Sequence, residues 1–163
     1  MSNKTTKPNN TNLLQPTKYI LTFPEVSDTV YFCQKANLPG VSLGVALQST
    51  PNLDLFHSGT KLSYNTFDVT FLVNEEMTAW LQIYKWMVDL SSVENTYSRR
   101  KESTKQAVLT VMSNVNTPKL RIKFSNPFPM SLSDLDFDTT LSADEHMLAT
   151  ASFRYEWFDI EKI

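Results

Sequence analysis

All three glycines of this 163-residue chain, Gly40, Gly44 and Gly59, fall inside one stretch of twenty residues between two β-patterned segments. The stretch Pro39–Gly59 combines extended-favouring residues and two prolines with Val41, Leu43, Val45, Leu47, Leu53, Leu55 and Phe56. Glycine frees the backbone at its ends, and Pro51 removes a ladder donor in its middle. An apolar segment punctuated in this way is a poor central strand for its own domain. It reads as a hairpin or arm that finds apolar surface elsewhere, on another copy of the chain. Leu43, Val45, Leu47, Leu53, Leu55 and Phe56 are the side chains expected to make that inter-subunit contact.

The length of 163 residues suits one domain with a real core, and two full domains would be tight. An apolar content of 41% and a charged content of 20% are those of a folded body rather than a disordered chain. A net charge of −2 argues against a protein that works by gripping phosphate backbones. Cys33 is the only cysteine, so an intrachain disulfide is excluded and a reducing compartment is expected. No apolar run is long enough to cross a membrane as a helix, and no membrane insertion is expected.

Residues 1–16 are polar, rich in Asn and Thr, and read as a flexible or partner-ordered tail ahead of a single β domain over 17–163. Within that domain Lys18–Phe23 reads as a short strand stopped by Pro24, and Val30–Leu38 as a second strand. Lys61–Val73 shows the clearest alternation. Phe67, Val69, Phe71 and Val73 share one face, and Thr66, Asp68, Thr70 and Leu72 the other, as in a sheet covered on one side. Asn74 is placed to cap a helix over Glu75–Leu90, with Glu75 and Glu76 at its positive end. Met77, Trp80, Leu81, Tyr84, Met87 and Val88 form the stripe expected to pack on a sheet.

Ser91–Lys105 is polar, and its Arg99, Arg100, Lys101 and Lys105 read as a solvated loop, with a nucleic-acid contact near Tyr97 as the alternative. Ala107–Met112, Lys119–Phe124 and Leu148–Phe158 read as strands. In the last, Ala149, Ala151, Phe153, Tyr155 and Trp157 share a face. The pattern predicts a mainly β fold, an antiparallel barrel or sandwich with one flanking helix and an extended hairpin arm.

Candidate chemistry is sparse. Asp134, Asp136 and Asp138, with Glu145, occupy the acidic positions of a calcium-binding EF-hand loop. Position 6 is Thr139 instead of glycine, however, and Pro127 and Pro129 leave no helix before it. Leu135 and Phe137 alternate with these aspartates as on a half-exposed acidic strand. His57 and His146 have no partner at metal-ligand spacing. Cys33 reads as a packed apolar residue rather than a nucleophile. No phosphate loop, nucleophile elbow or dinucleotide fingerprint occurs. The expectation is a protein that is no enzyme and takes neither cofactor nor metal.

Phe32-Cys33-Gln34-Lys35-Ala36-Asn37-Leu38-Pro39-Gly40 resembles the early strand and Leu-Pro turn of tail tube proteins from contractile-tailed bacteriophages. Thr66–Phe71, then Asn74-Glu75-Glu76 opening a helix with Trp80 and Trp86, resembles that family's central strand and helix start. Pro127–Phe137 and Phe153–Trp157 resemble its last two strands. The resemblance implies a β subunit of the fold shared with type VI secretion tubes. It implies six-membered rings stacked into a hollow conduit through which DNA passes without specific binding. A hairpin at the position of Gly40–Gly59 would reach onto neighbouring copies.

Tail sheath and baseplate proteins would be further partners, in a virion tail assembled in the host cytoplasm. Lumens in this family are commonly acidic, so Asp134, Asp136 and Asp138 are candidates for a lumen, outer or inter-ring face. The polar tail departs from the family pattern. The repeating tube subunit is the favoured expectation, with a specialised initiator, adaptor or terminator ring of the same fold as the alternative. A monomeric β-barrel binding module is the alternative from another class.

Overall fold

The computed structural model describes residues 12–91, 106–140 and 145–163. In chain order its strands are β1 Tyr19–Thr22, β2 Cys33–Ala36, β3 Val41–Ser49, β4 Asp54–Tyr64, β5 Phe67–Leu72, β6 Gln106–Met112, β7 Pro118–Ser125, β8 Phe128–Leu132, β9 Leu148–Arg154 and β10 Trp157–Lys162. The helices are α1 Ser27–Tyr31 and α2 Thr78–Ser91. Among the described residues one antiparallel sheet has the order β1-β6-β7-β10 and a second β2-β5-β9-β8, while β3 and β4 pair with each other as a separate two-stranded ladder. The fold is mainly β and antiparallel, as the alternation predicts.

The two sheets share one core. Phe67, Val69 and Phe71 from β5 and Ala149, Ala151 and Phe153 from β9 are buried with Leu109 of β6 and Ile122 and Phe124 of β7. Phe67 stacks on Phe124 with ring centroids 4.5 Å apart, which joins the sheets. Phe23 meets Trp86 edge-on at 5.7 Å and Phe153 at 5.2 Å, which brings α2 onto the same cluster. The alternation read in Phe67–Val73 is therefore the core face of a central strand. On its opposite face Asp68, Thr70 and Leu72 are half-buried, and the Thr70 and Thr150 hydroxyls lie 3.1 Å apart.

Three expected strands are corrected. Val30–Leu38 is not one strand: Pro24 opens a 3-10 turn, Val26 and Thr29 bury themselves at helical spacing, and α1 occupies Ser27–Tyr31 before β2 begins. A second helix thus joins the expected one, tied to it by Gln82 Nε2 donating to Asp28 Oδ2 at 2.9 Å. Lys61–Val73 breaks at Asn65–Thr66, where Asn65 N–H donates to Gly40 C=O. Residues 61–64 consequently belong to β4 and to the arm. Leu148–Phe158 breaks at Tyr155–Glu156, because the chain leaves one sheet for the other there. Trp157 then points away from the core and is 51% exposed.

The helix starts later and faces differently than expected. Met77 has a φ of 53°, and Asn74 Oδ1 accepts from Thr78 N–H at 2.9 Å, so Glu75 and Glu76 lie in a turn ahead of α2. The buried side chains are Ala79, Ile83 and Trp86; of the expected stripe Trp80 and Met87 are half-buried against the core, whereas Leu81, Tyr84 and Val88 are exposed. Apolar residues surround most of this helix, and the Trp86 contacts with Phe23 and Phe153 choose its orientation.

The polar tail lies outside the described residues up to position 11. The cluster Arg99, Arg100, Lys101 and Lys105 lies outside them entirely.

Candidate assembly surface

β3 and β4 form a two-stranded hairpin closed by Thr50–Leu53, where Thr50 N–H donates to Leu53 C=O at 3.1 Å. Its base is held to the body at several points. Tyr64 packs against Tyr155 and Phe158 at centroid distances of 5.9 and 5.3 Å. Arg154 Nη1 donates to Tyr64 C=O at 3.0 Å, and Tyr155 Oη donates to Asn65 C=O at 2.8 Å. Burial and the neighbouring Tyr64 push the Tyr155 phenol up to about 12.

Beyond that base, every residue of β3 is exposed, and so is β4 except for Gly59 and Tyr64. The register shows why this matters. Cross-strand partners share a face of the ladder. Val41 pairs with Tyr64, Leu43 with Leu62, Val45 with Ser58 and Leu47 with Phe56. One face thus carries Val41, Leu43, Val45, Leu47, Phe56, Leu62 and Tyr64, with Ser58 opposite Val45 and the polar pair Ser49 and Asp54 at the tip. The other carries Ser42, Ala46, Gln48, His57 and Ser63, with His57 Nε2 3.0 Å from Gln48 Oε1. The apolar face is open to solvent: Leu43 is 51%, Leu47 58%, Val45 67% and Phe56 73% exposed.

Of the six arm residues read from the sequence, Leu43, Val45, Leu47 and Phe56 come together on this face. Leu55 pairs with Gln48 on the opposite face, and Leu53 sits at the turn. Leu62 was not among them because the alternation of residues 61–73 assigned it to the next strand. Its signal was Gly59, which reads as the end of the arm and is in fact inside it.

Asp134, Asp136 and Asp138 lie apart from the arm, in irregular chain after β8 ends at Leu132. All three are exposed, and the expected strand alternation is absent because Leu135 turns inward while Phe137 stays in solvent. Asp138 Oδ1 accepts from Thr140 N–H at 2.8 Å and Thr140 Oγ1 at 2.7 Å, which lowers its carboxyl below the usual range.

Cys33 and Tyr19 line an open cavity of about 510 Å³ with Pro16, Ile20, Leu21 and Val30. Burial raises the thiol, and burial together with Cys33 pushes the Tyr19 phenol up to about 12. Neither group is activated as a nucleophile. Among the described residues no three His, Cys, Asp or Glu side chains group as metal ligands.

The double-sheet body with its flanking helices and projecting apolar hairpin is the fold of a phage tail tube protein: the chain belongs to that family, whose model matches residues 15–161. Over 161 residues it is 27% identical to the tail tube terminator protein of Enterobacteria phage T4, with 93% of this chain and 90% of that protein covered. Its fold matches the tube-terminating cap of the anti-feeding prophage with a TM-score of 0.69 at 14% identity, covering both chains fully. It also matches a chain of the PVC extracellular contractile injection system in its sheath–tube complex, with a TM-score of 0.62 at 13% identity over 93% of each chain.

Proposed function

We propose that this chain is a structural subunit that forms rings and closes the end of a contractile phage tail tube as its terminator. The observation that carries the reading is the solvent-exposed apolar face of the β3–β4 arm. An isolated two-stranded hairpin is marginally stable at best, so such a face calls for a protein surface to cover it. Placement at the tube end is supported by the likeness to the T4 tail tube terminator across nearly the whole of both chains. This weighs against the repeating subunit favoured by the sequence alone, because likeness to tube structures at 13% identity speaks for the fold only.

The partners that follow are further copies of this chain in a ring of six, the last ring of the tube, and the surrounding sheath. A baseplate contact belongs to an initiator at the opposite end. DNA would pass through the ring without being held, and Asp134, Asp136 and Asp138 provide exposed negative charge suited to repel it. The site of action is the virion tail, after assembly in the host cytoplasm.

The test is to add the purified protein to tube protein of the same phage during polymerisation and image the products by electron microscopy. A terminator forms rings alone, binds one end of each tube and stops growth, so mean tube length falls as its concentration rises. Long hollow rods from the chain alone would make it the repeating subunit. Seeding of new tubes would make it an initiator, and a monomer that binds no tube would leave the binding-module reading.

A further inference from the structure

The arm is not one straight ladder. Leu43 pairs with Leu62, but Val45 pairs with Ser58, so Gly44 alone on β3 faces Gly59, Thr60 and Lys61 on β4. A bulge of this kind bends the strand that carries it and increases its twist. It divides the apolar face into a panel at the base, Val41, Leu43 and Leu62, and a panel toward the tip, Val45, Leu47 and Phe56.

The two glycines at the bulge are not equivalent. Neither has a positive φ, so no left-handed backbone requires glycine at either position. Space decides instead. A Cβ at Gly59 would lie 2.5 Å from Gly44 O and 2.7 Å from Gly44 C, closer than side chains approach backbone. A Cβ at Gly44 would meet Lys61 O at 3.4 Å, an ordinary contact. The close approach of the two strands therefore depends on the missing side chain of Gly59.

We infer that Gly59, seated against the Gly44 backbone, is the elbow that sets the direction in which the outer half of the arm presents its apolar panel to a second copy of this chain. The inference rests on the reading of the arm as an inter-subunit element. The lever is long. A methyl at Gly59 needs roughly 1 Å of relief, and across a strand spacing of about 4.8 Å this pivots the ladder by ~12°. Leu53 lies six residues farther out, about 20 Å at the usual rise, so the tip would swing by ~4 Å. A displacement of that size takes Val45, Leu47 and Phe56 off any surface shaped to receive them, while the body is untouched.

The experiment compares Gly59→Ala with Gly44→Ala in the full chain. Nitroxide labels at Leu53→Cys in the tip and Lys123→Cys in the body, in a Cys33→Ser background, read the arm direction by pulsed electron resonance. Mass photometry reads ring formation, and thermal unfolding checks the body. Gly59→Ala is expected to shift or broaden the tip-to-body distance by a few Å and to raise the ring-forming concentration on the order of tenfold or more. Gly44→Ala should match the parent in both.

An unchanged distance in Gly59→Ala overturns the elbow. A changed distance with rings forming as before overturns its role in assembly. The arm reading is judged separately with Leu43, Val45 and Leu47 all changed to Ser: rings from that variant sink the arm reading while leaving the distance result intact.

Discussion

Phe153 is the residue on which the body turns. It is fully buried, and its ring meets those of Phe23, Phe67 and Trp86, which come from the segment after β1, from β5 and from α2. Phe153→Ala is expected to cost about 3–5 kcal/mol, because the ring's contacts are lost and three rigid neighbours cannot close the space. Chemical denaturation would measure it, and a cost below about 1 kcal/mol would mean the core is not built as described. Tyr155 offers a test by pH. Its phenol is raised to about 12 in the folded state, chiefly by burial, against about 10 when unfolded. Tyr19 is raised to about 12 as well, also chiefly by burial. Raised phenols stabilise the fold fully below the unfolded value, and that stability is lost as pH rises from about 10 through about 12. In a Cys33→Ser background, which removes the raised thiol that titrates at lower pH, urea midpoints should therefore be flat from pH 8 to 9.5 and fall above 10, with a shallower fall when Tyr155→Phe is added. An equal slope in that variant would remove Tyr155 from the explanation.

At the scale of elements, the arm and α2 differ in how they were legible. Clustered glycines and prolines mark the arm in the sequence, and among the described residues the structure shows a hairpin whose outer part is exposed. Its boundaries moved from Gly40–Gly59 to Val41–Tyr64, since alternation runs on unbroken from β4 into β5 and hides the break at Asn65. The arm's detachment from the core makes a clear prediction. Changing Leu43, Val45 and Leu47 to Ser should alter thermal stability by no more than about 0.5 kcal/mol per site, as for other exposed positions. Ring formation should be lost in the same variant. Unfolding of the domain would instead show that these side chains belong to the core. In α2 the helix was legible and its orientation was not. A sequence with Trp80, Leu81, Tyr84, Met87 and Val88 on one side and Ala79, Ile83 and Trp86 on another offers two apolar stripes. The small Ala79 carries little hydrophobic weight in a sequence pattern, yet it is fully buried.

For the whole molecule, two sheets meeting at Phe67 and Phe124 make a body to which the arm contributes its base, through Tyr64, but not its exposed outer part. On the proposed ring reading, that separation gives a rigid part and a projecting part that a neighbouring copy would cover. Among the described residues β1, β10, β2 and β8 are the edge strands of the two sheets, and on the proposed reading ring closure and stacking would protect them.

The sequence by itself determined the class of fold, the core faces of β5 and β9, the presence of α2 and the existence of an arm. Those follow from periodicity and from glycine and proline, which act over a few residues. Only the tertiary structure decided which stripe of α2 is buried, where Leu148–Phe158 changes sheets, that Asp134, Asp136 and Asp138 leave the strand, and that Leu62 joins the arm. Each of those choices depends on a partner distant in the chain: Trp86 on Phe23 and Phe153, Trp157 on Ser125, Leu62 on Leu43. Local pattern shows that a side chain needs burial, and long-range packing decides which surface buries it.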